Sequence, residues 1–134
     1  MTQIDSSSVA LFAGIDVAKD KLDLARSDTG ELLTVANDPK GIGQIVKLLT
    51  GAACIVVEST GGRERPLIAA LLEAGLPAAL VNPGRVRHLA IGCRILAKTD
   101  SIDAAVLMKF AQLAQPRLAQ KRPANQIELD ALVT

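Results

Sequence analysis

The stretch LFAGIDV, residues 11–17, is an apolar run with a single acid, Asp16, near its end. Its apolar residues hardly alternate with polar ones, which is typical of a central strand buried on both faces. Two further strands are predicted at residues 22–26 and 32–36, and the sequence SDTG at 27–30 supplies the turn between them. The chain is therefore expected to begin with a three-stranded meander that has Asp16 near the end of its first strand.

Strands and helices alternate after this meander. Asp38 is predicted to cap a helix from about residue 39 to 49. The apolar run at 54–57 is predicted to be a short buried strand that leads directly into Glu58. The later elements are a helix at about 65–73, a strand at 78–81, a helix or half-helix within 85–97, and a helix that starts near Thr99 and stops before Pro116. This order predicts a ribonuclease-H-like α/β fold, in which a mixed sheet has helices on both faces.

Four acids fall at special places in this order of elements, namely Asp16, Glu58, Asp100 and Asp103. In such a fold the first and fourth strands lie side by side at the centre of the sheet, so Asp16 and Glu58 would be neighbours. Asp100 and Asp103 are three residues apart on the predicted last helix and would share one of its faces. We therefore predict a cluster of four carboxylates. The alternative is that Asp100 caps its helix, Asp103 favours the helix dipole and Glu58 is an ordinary loop acid.

A cluster of four carboxylates predicts bound cations, because like charges in one pocket repel each other. Ligation by oxygen alone favours Mg²⁺ or Mn²⁺. A pair of such ions ~3.5–4 Å apart can activate an attacking oxygen and stabilise a leaving one in phosphodiester chemistry. The sequence therefore predicts metal-dependent cleavage of nucleic-acid strands.

Composition limits the other possibilities. The 134 residues correspond to one domain, and with two Phe, no Tyr and no Trp the chain is poorly suited to base stacking. The net charge is +1, but acids engaged by cations would leave 15 Lys and Arg against 10 acids, which predicts a basic face. Two cysteines form neither a disulfide framework nor a zinc pattern. We found no signal-peptide pattern and no membrane-length apolar run, so a cytoplasmic location is expected.

Basic and small polar residues near these elements are candidates for contact with a phosphate backbone. Lys19 and Lys98 lie close in sequence to the proposed metal ligands, and Thr60 lies between a strand and a helix N-terminus, where backbone N–H groups can hold an anion. The alternatives are solvated lysines and simple capping of the helix. The predicted nucleic-acid-binding residues are Lys19, Thr60, Arg85, Arg87, Arg94 and Lys98.

Four sequence motifs resemble the DEDD transposases of bacterial insertion sequences of the IS110 type, which include the Piv/MooV DNA invertases. They occur in the family's order between about residues 11 and 115. The motifs are Gly14-Ile15-Asp16-Val17-Ala18-Lys19, Val57-Glu58-Ser59-Thr60-Gly61-Gly62, Val81-Asn82-Pro83 with Arg85 and Val86, and Ala97-Lys98-Thr99-Asp100 with Ile102-Asp103-Ala104.

The resemblance implies an N-terminal RuvC-like catalytic domain at residues 1–115, with the four acids as its DEDD tetrad, in a bacterial cytoplasm. Residues 116–134 would be a linker and the start of a helical segment leading to a C-terminal transposase domain with a catalytic serine, which these 134 residues do not contain. The resemblance also implies DNA as the substrate, a structured guide RNA and a homo-oligomer of the full-length protein. Complete strand exchange by the fragment alone is not expected.

Two other functions compete with this one. An actin-like ATPase or sugar-kinase module begins with a similar Gly-x-Asp strand and hairpin, but Ala18, Lys19 and Asp20 stand where its phosphate loop usually needs Gly and Ser or Thr. The second alternative is a nucleic-acid-binding domain without catalysis. The presence of all four acids argues against it.

Overall fold

The computed structural model describes residues 10–97, 101–114 and 116–120. The strands are β1 (Phe12–Val17), β2 (Lys21–Arg26), β3 (Leu32–Ala36), β4 (Cys54–Glu58) and β5 (Ala78–Val81). The helices are α1 (Pro39–Leu48), α2 (Arg65–Glu73), α3 (Pro83–Gly92) and α4 (Ala104–Ala114). The predicted cap of α1 is confirmed, since the Asp38 side chain accepts a hydrogen bond of 2.7 Å from the backbone N–H of Gly41.

The five strands form one mixed sheet in the order β3-β2-β1-β4-β5. Strand β2 is antiparallel to both β1 and β3, whereas β1, β4 and β5 are parallel. The prediction that the first and fourth strands are neighbours at the centre is confirmed. Parallel neighbours have their carboxyl ends at the same edge of a sheet, so the last residues of β1 and β4 lie close together.

Alternation along the strands divides the core into two layers. Ile15 of β1 and Val57 of β4 belong to the layer that packs on α1 and α2. Val56 of β4 belongs to the other layer, which contains buried residues of α3 and α4. The side chain of Glu58, two residues beyond Val56 in β4, therefore lies on the same face of the sheet as α4.

Helix α4 lies directly against β1 at Gly14. A Cβ atom at position 14 would overlap the backbone of Met108 and the carbonyl oxygen of Ala104. Only a residue without a side chain allows this approach. Because Asp16 lies two residues beyond Gly14 on the same face of β1, the close contact also brings the start of α4 near Asp16.

Candidate metal centre

The ends of β1 and β4 bring Asp16 and Glu58 to one edge and one face of the sheet. Ile15 is the partner of Val57 in the parallel ladder, and Asp16 and Glu58 are the next residues of the two strands. Both lie on the α4 side, since their neighbours Ile15 and Val57 face the opposite core layer. Both carboxylates are partly buried. The predicted juxtaposition of these two acids therefore agrees with the sheet register.

Asp103 reaches this region from the start of α4. Its Oδ1 accepts a hydrogen bond of 3.0 Å from the backbone N–H of Val106, so it caps the helix. The prediction that the helix begins near Thr99 and contains Asp103 is wrong, because residues 101–103 are not helical and the helix begins at Ala104. Asp103 therefore precedes α4 and does not lie on a face of that helix. Lys98, Thr99 and Asp100 lie outside the described residues.

The charges of these acids affect one another. Burial raises the pKa of Asp16, and repulsion from Asp23 and Asp103 raises it further, while Lys21 lowers it. Burial and then repulsion from Asp16 raise the pKa of Glu58, and Arg87 opposes this. A raised pKa means that the surroundings of the carboxyl group disfavour its ionised form. The region is therefore one that a bound cation would stabilise.

The donor set suits a hard divalent cation, although it is incomplete in the described part of the chain. Among residues 10–97, 101–114 and 116–120, no three His, Cys, Asp or Glu side chains are grouped so that they could hold a metal ion. Asp16, Glu58 and Asp103 supply only carboxylate oxygen, which Mg²⁺ and Mn²⁺ accept.

Asp23 is a further acid in this region that the sequence interpretation missed. It is the cross-strand partner of Asp16 in the antiparallel ladder of β1 and β2. A signal was present in the sequence, since buried Leu22 and Leu24 flank it and force its side chain to the other face. Locating it opposite Asp16 also required the register of the hairpin, which the short turn at 18–20 determines.

The loop after β4 differs from the predicted anion site. The buried carboxylate of Glu64 accepts hydrogen bonds from the backbone N–H groups of Thr60 (3.0 Å) and Gly62 (3.1 Å) and from the Thr60 hydroxyl (2.8 Å). Burial alone would raise the pKa of Glu64, but these hydrogen bonds lower it overall. The chain's own carboxylate thus occupies the donors proposed for an external anion. Contact between Thr60 and nucleic acid stays a prediction.

Glu64→Gln is expected to reduce the free energy of unfolding by about 1 kcal/mol at neutral pH, because charge-assisted hydrogen bonds become neutral ones. The pKa of Glu64 is lowered in the folded state, so its contribution is present above the ordinary glutamate pKa of about 4.3 and fades as the pH falls below it. Urea unfolding at several pH values measures this difference. A difference from wild type that persisted undiminished in acid would contradict the explanation.

The predicted nucleic-acid-binding arginines lie on and after α3. Arg87 is partly buried and acts on Glu58, whereas Arg85 and Arg94 are exposed. Arg94 has a left-handed backbone with a φ of 60°. Lys19 is exposed in the turn between β1 and β2. These positions leave the four side chains at or near the surface, and Arg87 is the one whose charge acts on an acid of the proposed site.

Residues 116–120 follow α4 and return to the free edge of the sheet. The backbone N–H of Ala119 donates a hydrogen bond of 2.7 Å to the carbonyl oxygen of Ala78 in β5. Together with Arg85 and β5 this segment lines a groove of about 440 Å³. The domain boundary near residue 115 stays a prediction.

No helix within the described residues is long and apolar enough to cross a membrane.

The element order and the topology of the sheet define a RuvC-like fold. RuvC of T. thermophilus, solved in complex with a Holliday junction substrate, superposes with a TM-score of 0.57 at 14% identity, over 81% of this chain and 99% of that chain. The predicted ribonuclease-H-like fold is confirmed.

The family model described as "Transposase", that of the DEDD transposases of the IS110 type, matches residues 13–134. The chain belongs to this transposase family, as its motifs predict. It is also similar to the pilin gene-inverting proteins of Moraxella lacunata and Moraxella bovis, each 26% identical over 130 residues and 91% of this chain. The chain spans about 40% of the length of these curated relatives.

Proposed function

We propose that this chain forms the DNA-cleaving domain of a transposase or DNA recombinase that requires divalent metal ions. The observation that carries the proposal is the arrangement of Asp16, Glu58 and Asp103 from β1, β4 and the start of α4 on one side of the sheet. The names of the relatives support DNA as the substrate, since they describe inversion of a gene, and RuvC is described with a DNA junction.

The residues proposed to hold Mg²⁺ or Mn²⁺ are Asp16, Glu58, Asp100 and Asp103. The bound ions supply charge stabilisation for the attacking and leaving oxygens of a phosphodiester. The chain's own contribution is to hold the carboxylates in position: the central ladder carries Asp16, and the cap hydrogen bond orients Asp103. Arg87 partly offsets the negative charge beside Glu58 and provides a cation for an approaching phosphate.

The remaining contacts and partners are proposed for the full-length protein. Lys19, Thr60, Arg85, Arg87, Arg94 and Lys98 are proposed to contact nucleic acid. A structured guide RNA, a homo-oligomer and a cytoplasmic location are proposed from the family resemblance. A C-terminal domain with a catalytic serine would complete strand exchange, so the 134 residues alone are expected to bind DNA without completing recombination.

A cleavage assay tests this proposal. The full-length protein is expected to cut branched DNA in Mg²⁺ or Mn²⁺ and not in EDTA. Glu58→Gln is expected to abolish cutting while retaining DNA binding, because the change removes one proposed ligand and not the basic surface. Glu31→Gln serves as a control, since Glu31 is exposed at the opposite end of the sheet. Cutting that persists in EDTA or in Glu58→Gln would contradict the proposal.

A further inference from the structure

Asp23 lies in a row of polar residues that crosses three strands. Asp16 of β1 is its partner on one side, and Thr34 of β3 is its partner on the other. Residues directly opposite in neighbouring strands point to the same face, so all three side chains lie on the face that carries α4. Asp23 thus lies next to the proposed metal centre, and it is not a member of the DEDD tetrad.

The pair Asp16–Asp23 is electrostatically unfavourable. Like charges directly opposite in an antiparallel pair destabilise a sheet, because their Cβ atoms are only ~4.5–5.5 Å apart. Lys21 offers limited compensation, since its Nζ lies 3.8 Å from Asp23 Oδ2 and its side chain is 60% exposed. A cation beside these two carboxylates would relieve their repulsion.

Asp23 is also held in place. The hydroxyl of Thr34 donates a hydrogen bond of 2.6 Å to its Oδ1. Asp23 also lines a groove of about 280 Å³, together with Lys21, Thr34 and Asp103. The groove is accessible from solvent because Lys21, Thr34 and Asp103 are exposed. A hydrated cation can therefore approach both Asp103 and Asp23 from this side.

We propose that Asp23 is a positioning residue that strengthens divalent-cation binding at the acid cluster by adding an oriented negative charge beside Asp16. The inference rests on the proposed metal centre. Mg²⁺ usually keeps several water ligands in proteins, and the Asp23 oxygen that Thr34 does not engage can accept hydrogen bonds from such waters. Thr34 contributes by orienting Asp23, so its effect on cation binding is smaller than that of Asp23.

The experiment is a Mn²⁺ titration of the 134-residue chain, followed by thermal unfolding with and without the ion. Asp23→Asn keeps the oxygen that Thr34 contacts but removes the charge. We expect this variant to melt at or above the wild-type temperature without Mn²⁺, because the repulsion from Asp16 is relieved. We expect its Mn²⁺ affinity to fall about 10-fold or more, as for residues that support metal ligands. Its Mn²⁺-induced rise in melting temperature should shrink accordingly.

Two further variants separate charge from structure. Thr34→Val removes the hydroxyl but keeps the charge, and is expected to weaken Mn²⁺ binding less than Asp23→Asn does. Glu31→Gln removes one negative charge from the far end of the same hairpin and should bind Mn²⁺ as wild type does. Equal Mn²⁺ affinity in Asp23→Asn and wild type would overturn this inference and leave the proposed function intact. Absence of Mn²⁺ binding by wild type would instead overturn the proposed function and this inference with it.

Discussion

Asp16→Asn is expected to reduce metal-dependent DNA cleavage by the full-length protein by about a thousandfold or more. Metal ions supply several kcal/mol of charge stabilisation to such reactions, and each 1.36 kcal/mol corresponds to a factor of ten in rate. Asp16 is central to the proposed site, because its charge acts on Glu58 and the charge of Asp103 acts on it. The measurement is the single-turnover cleavage rate at saturating Mg²⁺.

Asp20→Asn is the matched control for this prediction. Asp20 lies four residues away in the turn after β1, its side chain is exposed, and the chemical change is the same. We expect its cleavage rate to stay within a few-fold of wild type, since exposed charges are screened by solvent and salt. Comparable cleavage by Asp16→Asn and Asp20→Asn would show that Asp16 is not part of the catalytic centre.

Gly14→Ala is expected to reduce the free energy of unfolding by about 3 kcal/mol or more. Overpacking typically costs about 1–3 kcal/mol, and this site lies at the upper end because the added methyl meets backbone, which cannot rotate away. Alanine loses less backbone freedom on folding than glycine does, but the resulting stabilisation of about 0.5–1 kcal/mol does not offset this clash. The measurement is urea unfolding. Since α4 must move, Asp103 would also shift relative to Asp16, and Mn²⁺ binding should weaken.

Gly43→Ala provides the opposite case. Gly43 is an exposed residue inside α1, and a methyl group there would meet no atom within 4 Å. The change is expected to stabilise the chain by about 0.5–1 kcal/mol, because alanine is the better helix former. If Gly14→Ala were as stable as Gly43→Ala, α4 could not lie against β1 as closely as described, and the placement of Asp103 would be wrong.

The strands could be predicted because each is a short apolar run bounded by turn residues, a pattern that few other structures share. β3 and β5 have the predicted bounds, and β4 extends one residue further, to Glu58. The start of α4 could not be predicted, since Thr99 and Asp103 are both good capping residues and local sequence does not choose between them. Tertiary contact decides the position, because α4 packs where Gly14 permits it.

The candidate site could be predicted only in part, for a similar reason. Asp16 and Glu58 are evident in the sequence because Asp16 lies next to the end of one buried strand and Glu58 ends another. Asp23 was not evident, because its position opposite Asp16 depends on the register between the strands and not on its neighbours in the sequence. The loop at Thr60 has the composition of an anion site, but composition does not tell whether an external anion or the chain's own Glu64 occupies it.

Calorimetric titration of Mn²⁺ into the 134-residue chain tests the central claim most directly, with Asp16→Asn and Asp20→Asn titrated alongside. The expected result is saturable binding by wild type and by Asp20→Asn, and loss of that binding in Asp16→Asn. Absence of Mn²⁺ binding by wild type, or binding of the same strength in Asp16→Asn, would contradict a metal centre built on these acids.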